Sequence, residues 1–109
     1  MDKTWILVAD DRLAKFCEAE SPDGELHVLD VIKNAGGVAQ FVRGLIDRLR
    51  WGRRKGAFNR LILVAPDRVL SRLRAEMDRD LTDLLELDLQ ANLVRKDKAV
   101  IRSCLPHTI

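Results

Sequence analysis

Apolar residues in this chain fall into runs of three different periods. Thr4 to Ala9 (TWILVA) and Leu61 to Ala65 (LILVA) are apolar almost without a break. A strand covered on one face alternates, whereas a strand covered on both does not, so both runs read as central strands. After the turn chemistry of DDRL, AKFCEAE alternates: Ala14, Phe16 and Glu18 fall on one side, Lys15, Cys17 and Ala19 on the other. SPDG at 21–24 is a turn signal, with Pro22 pre-set near φ −65° and Gly24 free to take positive φ. ELHVLDVI then resumes as a strand. Turns this short join antiparallel neighbours, so the first third predicts a three-stranded meander.

From Val38 the period becomes helical. Val38, Phe41, Val42, Leu45, Ile46 and Leu49 recur at spacings of three and four, with Arg43, Asp47, Arg50 and Arg54 on the outer face and Gly52 and Gly56 bracketing the tail. RLILVAP is the next strand. Val69, Leu70, Leu73, Met77, Leu81 and then Leu84 or Leu85 mark one further amphipathic helix, with Asp67 as its N-cap after Pro66. LELDLQANLV alternates Leu87, Leu89, Ala91 and Leu93 as an edge strand, although its first residues could extend the helix. Asp97 caps a short last helix carrying Ala99, Val100, Ile101 and Leu105, and Pro106 stops it.

The predicted order is βββαβαβα. A right-handed helical crossover sets the fourth strand parallel to and beside the first, giving one α/β domain over residues 1–109 with a mixed five-stranded sheet. Its order is 3-2-1-4-5, with helices on both faces, the ribonuclease H-like arrangement.

Composition narrows the class. A chain of 109 residues supports one core, and its longest apolar runs fall far short of a bilayer span of roughly 20 residues. The opening MDKTWILVADD has neither a cationic leader region nor a small-residue cleavage site, so the expectation is a cytoplasmic protein without membrane contact. Cys17 and Cys104 form no metal-binding or redox motif and read as core or half-buried thiols. The net charge of +2 is uneven: from Arg43 to Arg60, seven basic residues stand against Asp47 alone.

Two stretches carry a family resemblance. TWILVADDRLAKFCEAE resembles the opening of the bacterial host attachment proteins, and FNRLILVAPDRVLSRLR is similar to their second signature. The resemblance implies a fold shared with the middle domain of eukaryotic and archaeal peptide-release factors. There a Gly-Gly-Gln loop precedes the helix that Val38 opens here, and its glycines let glutamine approach the peptidyl ester. In this chain Gly36 and Gly37 are followed by Val38, and Gln40 falls inside the helix, projecting outward; with Asn34 the pair reads as a helix entry and not as a catalytic loop. The long polar segment that the family commonly carries before this helix is reduced here to four residues.

Three sets of candidate residues follow. Arg48, Arg50, Arg53, Arg54, Lys55 and Arg60 could neutralise phosphates while Trp51 stacks on a base, which makes RNA or the ribosome the expected partner of a non-catalytic protein. A metal-dependent nuclease is the alternative: Asp10 and Asp67 end adjacent strands and could share a divalent ion, with Asp47 as a third ligand. No cofactor is expected, and neither His27 nor His107 has a nucleophile at a known spacing. An exposed LELDLQANLV edge would allow a homodimer through paired strands.

Overall fold

The unbroken apolar run forms β1 (Thr4–Ala9), every residue of which is buried, in a computed structural model that describes residues 3–19 and 25–105. β2 (Leu13–Ala19) pairs antiparallel with β1, Leu7 opposite Phe16, and β3 (His27–Lys33) pairs antiparallel with β2. β4 (Arg60–Ala65) lies parallel to β1 with Ile62 opposite Ile6, and β5 (Leu85–Gln90) lies parallel to β4. The sheet order is β3-β2-β1-β4-β5, as the crossover rule requires. The turn signal at 21–24, Pro106 and His107 lie outside the described residues.

Helices cover both faces. Trp5, Leu7 and Ala9 of β1 and Ala14 and Phe16 of β2 face α1 (Val38–Arg54), α2 (Asp67–Glu76) and α3 (Arg79–Leu84). Ile6, Val8 and Cys17 face the other way, where α4 (Lys98–Ser103) brings Ile101, followed by Leu105, onto a second core with Val94. This two-sided burial is why β1 and β4 show no alternation. Asp97 caps α4 as expected, its carboxylate accepting the Val100 N–H. Among the described residues, no helix is long and apolar enough to cross a membrane.

Four local expectations are corrected. The single helix expected after β4 is two helices: Met77 and Asp78 are extended (ψ 133° and 176°), and the Asp78 carboxylate accepts the Leu81 N–H at 2.9 Å to cap α3. An aspartate three residues ahead of a buried leucine competes with helix continuation by offering its own acceptor to a free N–H. Asp67 is the first helical residue of α2 and not its N-cap; Pro66 takes that place, its carbonyl accepting the Leu70 N–H. Gly52 does not end α1 but sits buried inside it, and Cys104 is exposed where a core or half-buried thiol was expected.

The true end of α1 is a Schellman turn. Ala57 N–H donates to the Gly52 carbonyl at 2.9 Å and Gly56 N–H to that of Arg53 at 3.0 Å, with Gly56 at φ +70°. Glycine suits that left-handed position because it carries no Cβ.

Candidate functional site

The basic end of α1 is pressed onto the sheet through Gly52. A Cβ there would lie 2.5 Å from the Trp5 ring and 3.1 Å from that of Phe58, so glycine alone permits this approach. Trp5 stacks on Phe58 at 4.7 Å between centroids, meets Phe16 edge-on at 6.0 Å, and donates its indole N–H to Glu18 at 3.3 Å. The Arg48 guanidinium lies over this group, 5.7 Å from the Trp5 ring centroid, 6.0 Å from that of Phe16 and 4.7 Å from that of Trp51. Its Nε is buried without a hydrogen-bond partner among the described residues, so ring faces and not a carboxylate hold the charge. Arg48 and Gly52 extend the buried row that begins at Phe41 and Leu45, spaced by three and four. That spacing was the signal for their inward placement, masked by the residue types.

The remaining cations divide in two. Arg50 donates to Asp78 at 3.1 Å and reaches Asp47 at 3.4 Å; Arg53 lies 3.6 Å from Asp80, and Arg60 3.7 Å from Glu86. Asp78 titrates below its ordinary value, held down first by the Leu81 N–H and then by Arg50 and Arg53. Arg43, Arg54 and Lys55 are exposed and have no carboxylate partner among the described residues. Trp51 is 45% exposed beside them. Expected phosphate contacts therefore separate into Arg48 under a ring, Arg50, Arg53 and Arg60 beside carboxylates, and an open pair, Arg54 and Lys55, next to Trp51.

The glycine pair belongs to a different corner. Asn34 accepts the Gly36 N–H at 2.9 Å and donates its amide to the Asp11 carbonyl at 2.9 Å, which ties the loop to the β1–β2 turn. Gly37 is the N-cap of α1 at φ −74°, ψ 157°, and among the described residues only Gly56 has positive φ. Neither Gly36 nor Gly37 thus occupies a conformation reserved for glycine. Gln40 is exposed, as its place on the helix predicts, and its Oε1 stands 3.3 Å from where a Gly36 Cβ would be, on the rim of an open hollow of about 370 Å³. Ile32, Asn34, Gln40, Phe41 and Gly44 line that hollow, which holds no acid, base or nucleophile among the described residues.

Asp10 shapes the β1–β2 turn. Asp10 Oδ1 accepts the N–H groups of Arg12 and Leu13 at 2.8 and 2.7 Å, and Oδ2 lies 3.8 Å from Arg95. Both oxygens of Asp10 are engaged, while Asp67 is exposed at the start of α2 and Asp47 sits against Arg50. Among the described residues, no three His, Cys, Asp or Glu side chains converge on a point that could hold a metal.

Comparison with known proteins adds two findings. The sequence profile of a family described as "Protein required for attachment to host cells" matches residues 33–105. The stretch at 4–20 that resembles the family's opening lies outside the matched span. No curated protein matches by sequence. Among solved structures, the archaeal translation termination factor aRF1 superposes with a TM-score of 0.65 at 14% identity, over 96% of this chain and 35% of that one. Dom34 of S. cerevisiae, described as a translation termination-like factor involved in RNA quality control pathways, superposes with a TM-score of 0.61 at 11% identity, over 94% and 33%. A structure described as an archaeal protein gives 0.63 at 15%, over 93% and 35%. The chain spans about a third of the length of each, and at these identities the likeness is one of fold.

Proposed function

The chain belongs to the family of proteins required for attachment to host cells, and from that starting point we propose that it is a non-catalytic cytoplasmic binding protein with an RNA- or ribosome-associated role. The observation that carries this reading is the open pair Arg54 and Lys55 at the end of α1, beside the exposed ring of Trp51. Unpaired cations attract phosphates by releasing condensed counterions, and binding so driven weakens steeply with salt. The fold shared with a translation termination factor and with Dom34 supports the same direction. "Attachment" names a phenotype of the family, and a binding role at RNA or the ribosome is compatible with it through an indirect effect.

The test is affinity for total RNA across a salt series, comparing the wild-type chain with Arg54→Glu/Lys55→Glu. Both residues are exposed, so the double variant keeps the fold. Wild-type affinity should fall log-linearly with salt, and the variant should bind more weakly with a flatter slope. Equal binding by the two proteins removes the proposal. Arg50 and Arg53 are poorer probes, because reversing either charge also disrupts a contact with Asp78 or Asp80.

A further inference from the structure

We infer that Trp51, Arg54 and Lys55 form a contact for single-stranded RNA, with one base stacked on the indole and the adjoining phosphates on the two cations. This rests on the RNA-binding reading above and narrows it to a ligand class. Trp51 and Arg54 stand at i and i+3 of α1, and Lys55, at i+4, is its C-cap, still helical in backbone with its N–H donating to the Trp51 carbonyl at 3.1 Å, which makes the three neighbours on one surface. Arg48 packs against Trp51 at 4.7 Å and is itself seated over Trp5 and Phe16, so the indole is braced from within before any ligand arrives. With 45% of its surface open, Trp51 has room for a second planar partner.

The surroundings favour an unpaired strand. A duplex keeps its base faces in its own stack and offers mainly backbone, which suits a long cationic track. Here the track is short. On its α3 side the corner runs into a hollow of about 270 Å³ lined by Arg50, Arg53, Arg54, Asp78 and Asp80, where carboxylates alternate with guanidinium groups and would repel a continuing backbone. The helix end itself is muted: the carbonyls of Gly52 and Arg53 are taken by the N–H groups of Ala57 and Gly56, so fewer free oxygens confront a phosphate.

The experiment is fluorescence anisotropy with labelled decauridylate and with a fully paired RNA hairpin of equal charge, between about 50 and 200 mM salt. Four proteins are compared: wild type, Trp51→Ala, Trp51→Phe and Arg54→Glu/Lys55→Glu. The expected result is tighter binding of decauridylate than of the hairpin. Trp51→Ala should lose about ten-fold in decauridylate affinity with an unchanged salt slope, and Trp51→Phe should retain most of it. The charge-reversal variant should instead flatten the logarithmic salt slope by about 1.4, the value for two phosphates on a single strand. If Trp51→Ala binds as the wild type does, or if the hairpin binds as tightly, the stacking inference is overturned while salt-sensitive binding stands. If the wild type binds neither RNA, the functional reading falls and this inference falls with it.

Discussion

Gly52 and Gly44 lie in the same helix and answer to opposite rules. Alanine in a helix interior is favoured over glycine by about 1 kcal/mol where space is free. At Gly44 nothing lies within 4 Å of a new Cβ, so Gly44→Ala should raise stability by up to that amount. At Gly52 the Trp5 ring stands 2.5 Å from the new atom, and overpacking of about 1–3 kcal/mol should outweigh the propensity gain. Urea unfolding of both variants checks the pair of signs. The two thiols differ in the same clear way. Burial pushes the Cys17 thiol up to about 11, whereas Cys104 is exposed. A thiol reagent at pH 8 should therefore label Cys104 alone in the native protein and both thiols in denaturant. Periodicity alone would have placed Arg48 and Gly52 inward; their residue types hid it, since a cation and a glycine are not counted as apolar.

At the scale of elements, the α2–α3 break and the β3 edge each depend on one aspartate. Asp78→Ala removes the α3 cap and an ion-pair partner of Arg50, and should cost about 1 kcal/mol in chemical denaturation. Because the folded-state carboxyl titrates below its ordinary value, its contribution is complete above the unfolded pKa and fades as pH falls through the lower folded value. The wild-type advantage over Asp78→Ala should thus shrink at acidic pH and not at alkaline pH. On β3, Val28, Leu29 and Val31 are 44%, 43% and 47% exposed, an apolar edge that invites pairing with another strand. Asn34 N–H donates to the Arg12 carbonyl, so in the alternation of an antiparallel pair Val31 N–H points away from β2. The Asp30 carboxylate accepts that N–H at 2.9 Å, and a bulge opposite Phe16 and Cys17 disturbs the edge further. Asp30→Val should shift the protein towards dimers or larger species in sedimentation velocity. The strands and the start of α1 were legible in the sequence, since period two, unbroken burial and period 3.6 leave different patterns. The helix break was not, because its apolar stripe runs on through Met77 and Leu81 and only the aspartate between them marks the interruption. β5 is an edge strand as its alternation predicts, but among the described residues of the two edge strands the large exposed apolar side chains are on β3.

For the molecule as a whole, topology could be read in advance because two uninterrupted apolar strands and a right-handed crossover allow few arrangements. The charge distribution could not. The seven basic residues of the 43–60 segment are close in sequence, but the carboxylates that engage three of them come from α3 and β5 as well as from α1, up to 28 positions away. Counting charge along the chain gave a patch of six cations and one tryptophan; the fold leaves Arg54 and Lys55, with Arg43 further back, as open charge. Binding through that corner is the central claim, and sedimentation of native lysate through a sucrose gradient at low and high salt tests it most directly. The wild-type protein should travel with RNA-containing or ribosomal fractions at low salt and return to the top of the gradient at high salt, after ribonuclease, or with Arg54→Glu/Lys55→Glu. A wild-type protein that stays at the top at every salt concentration, or a double variant that sediments unchanged, would contradict it.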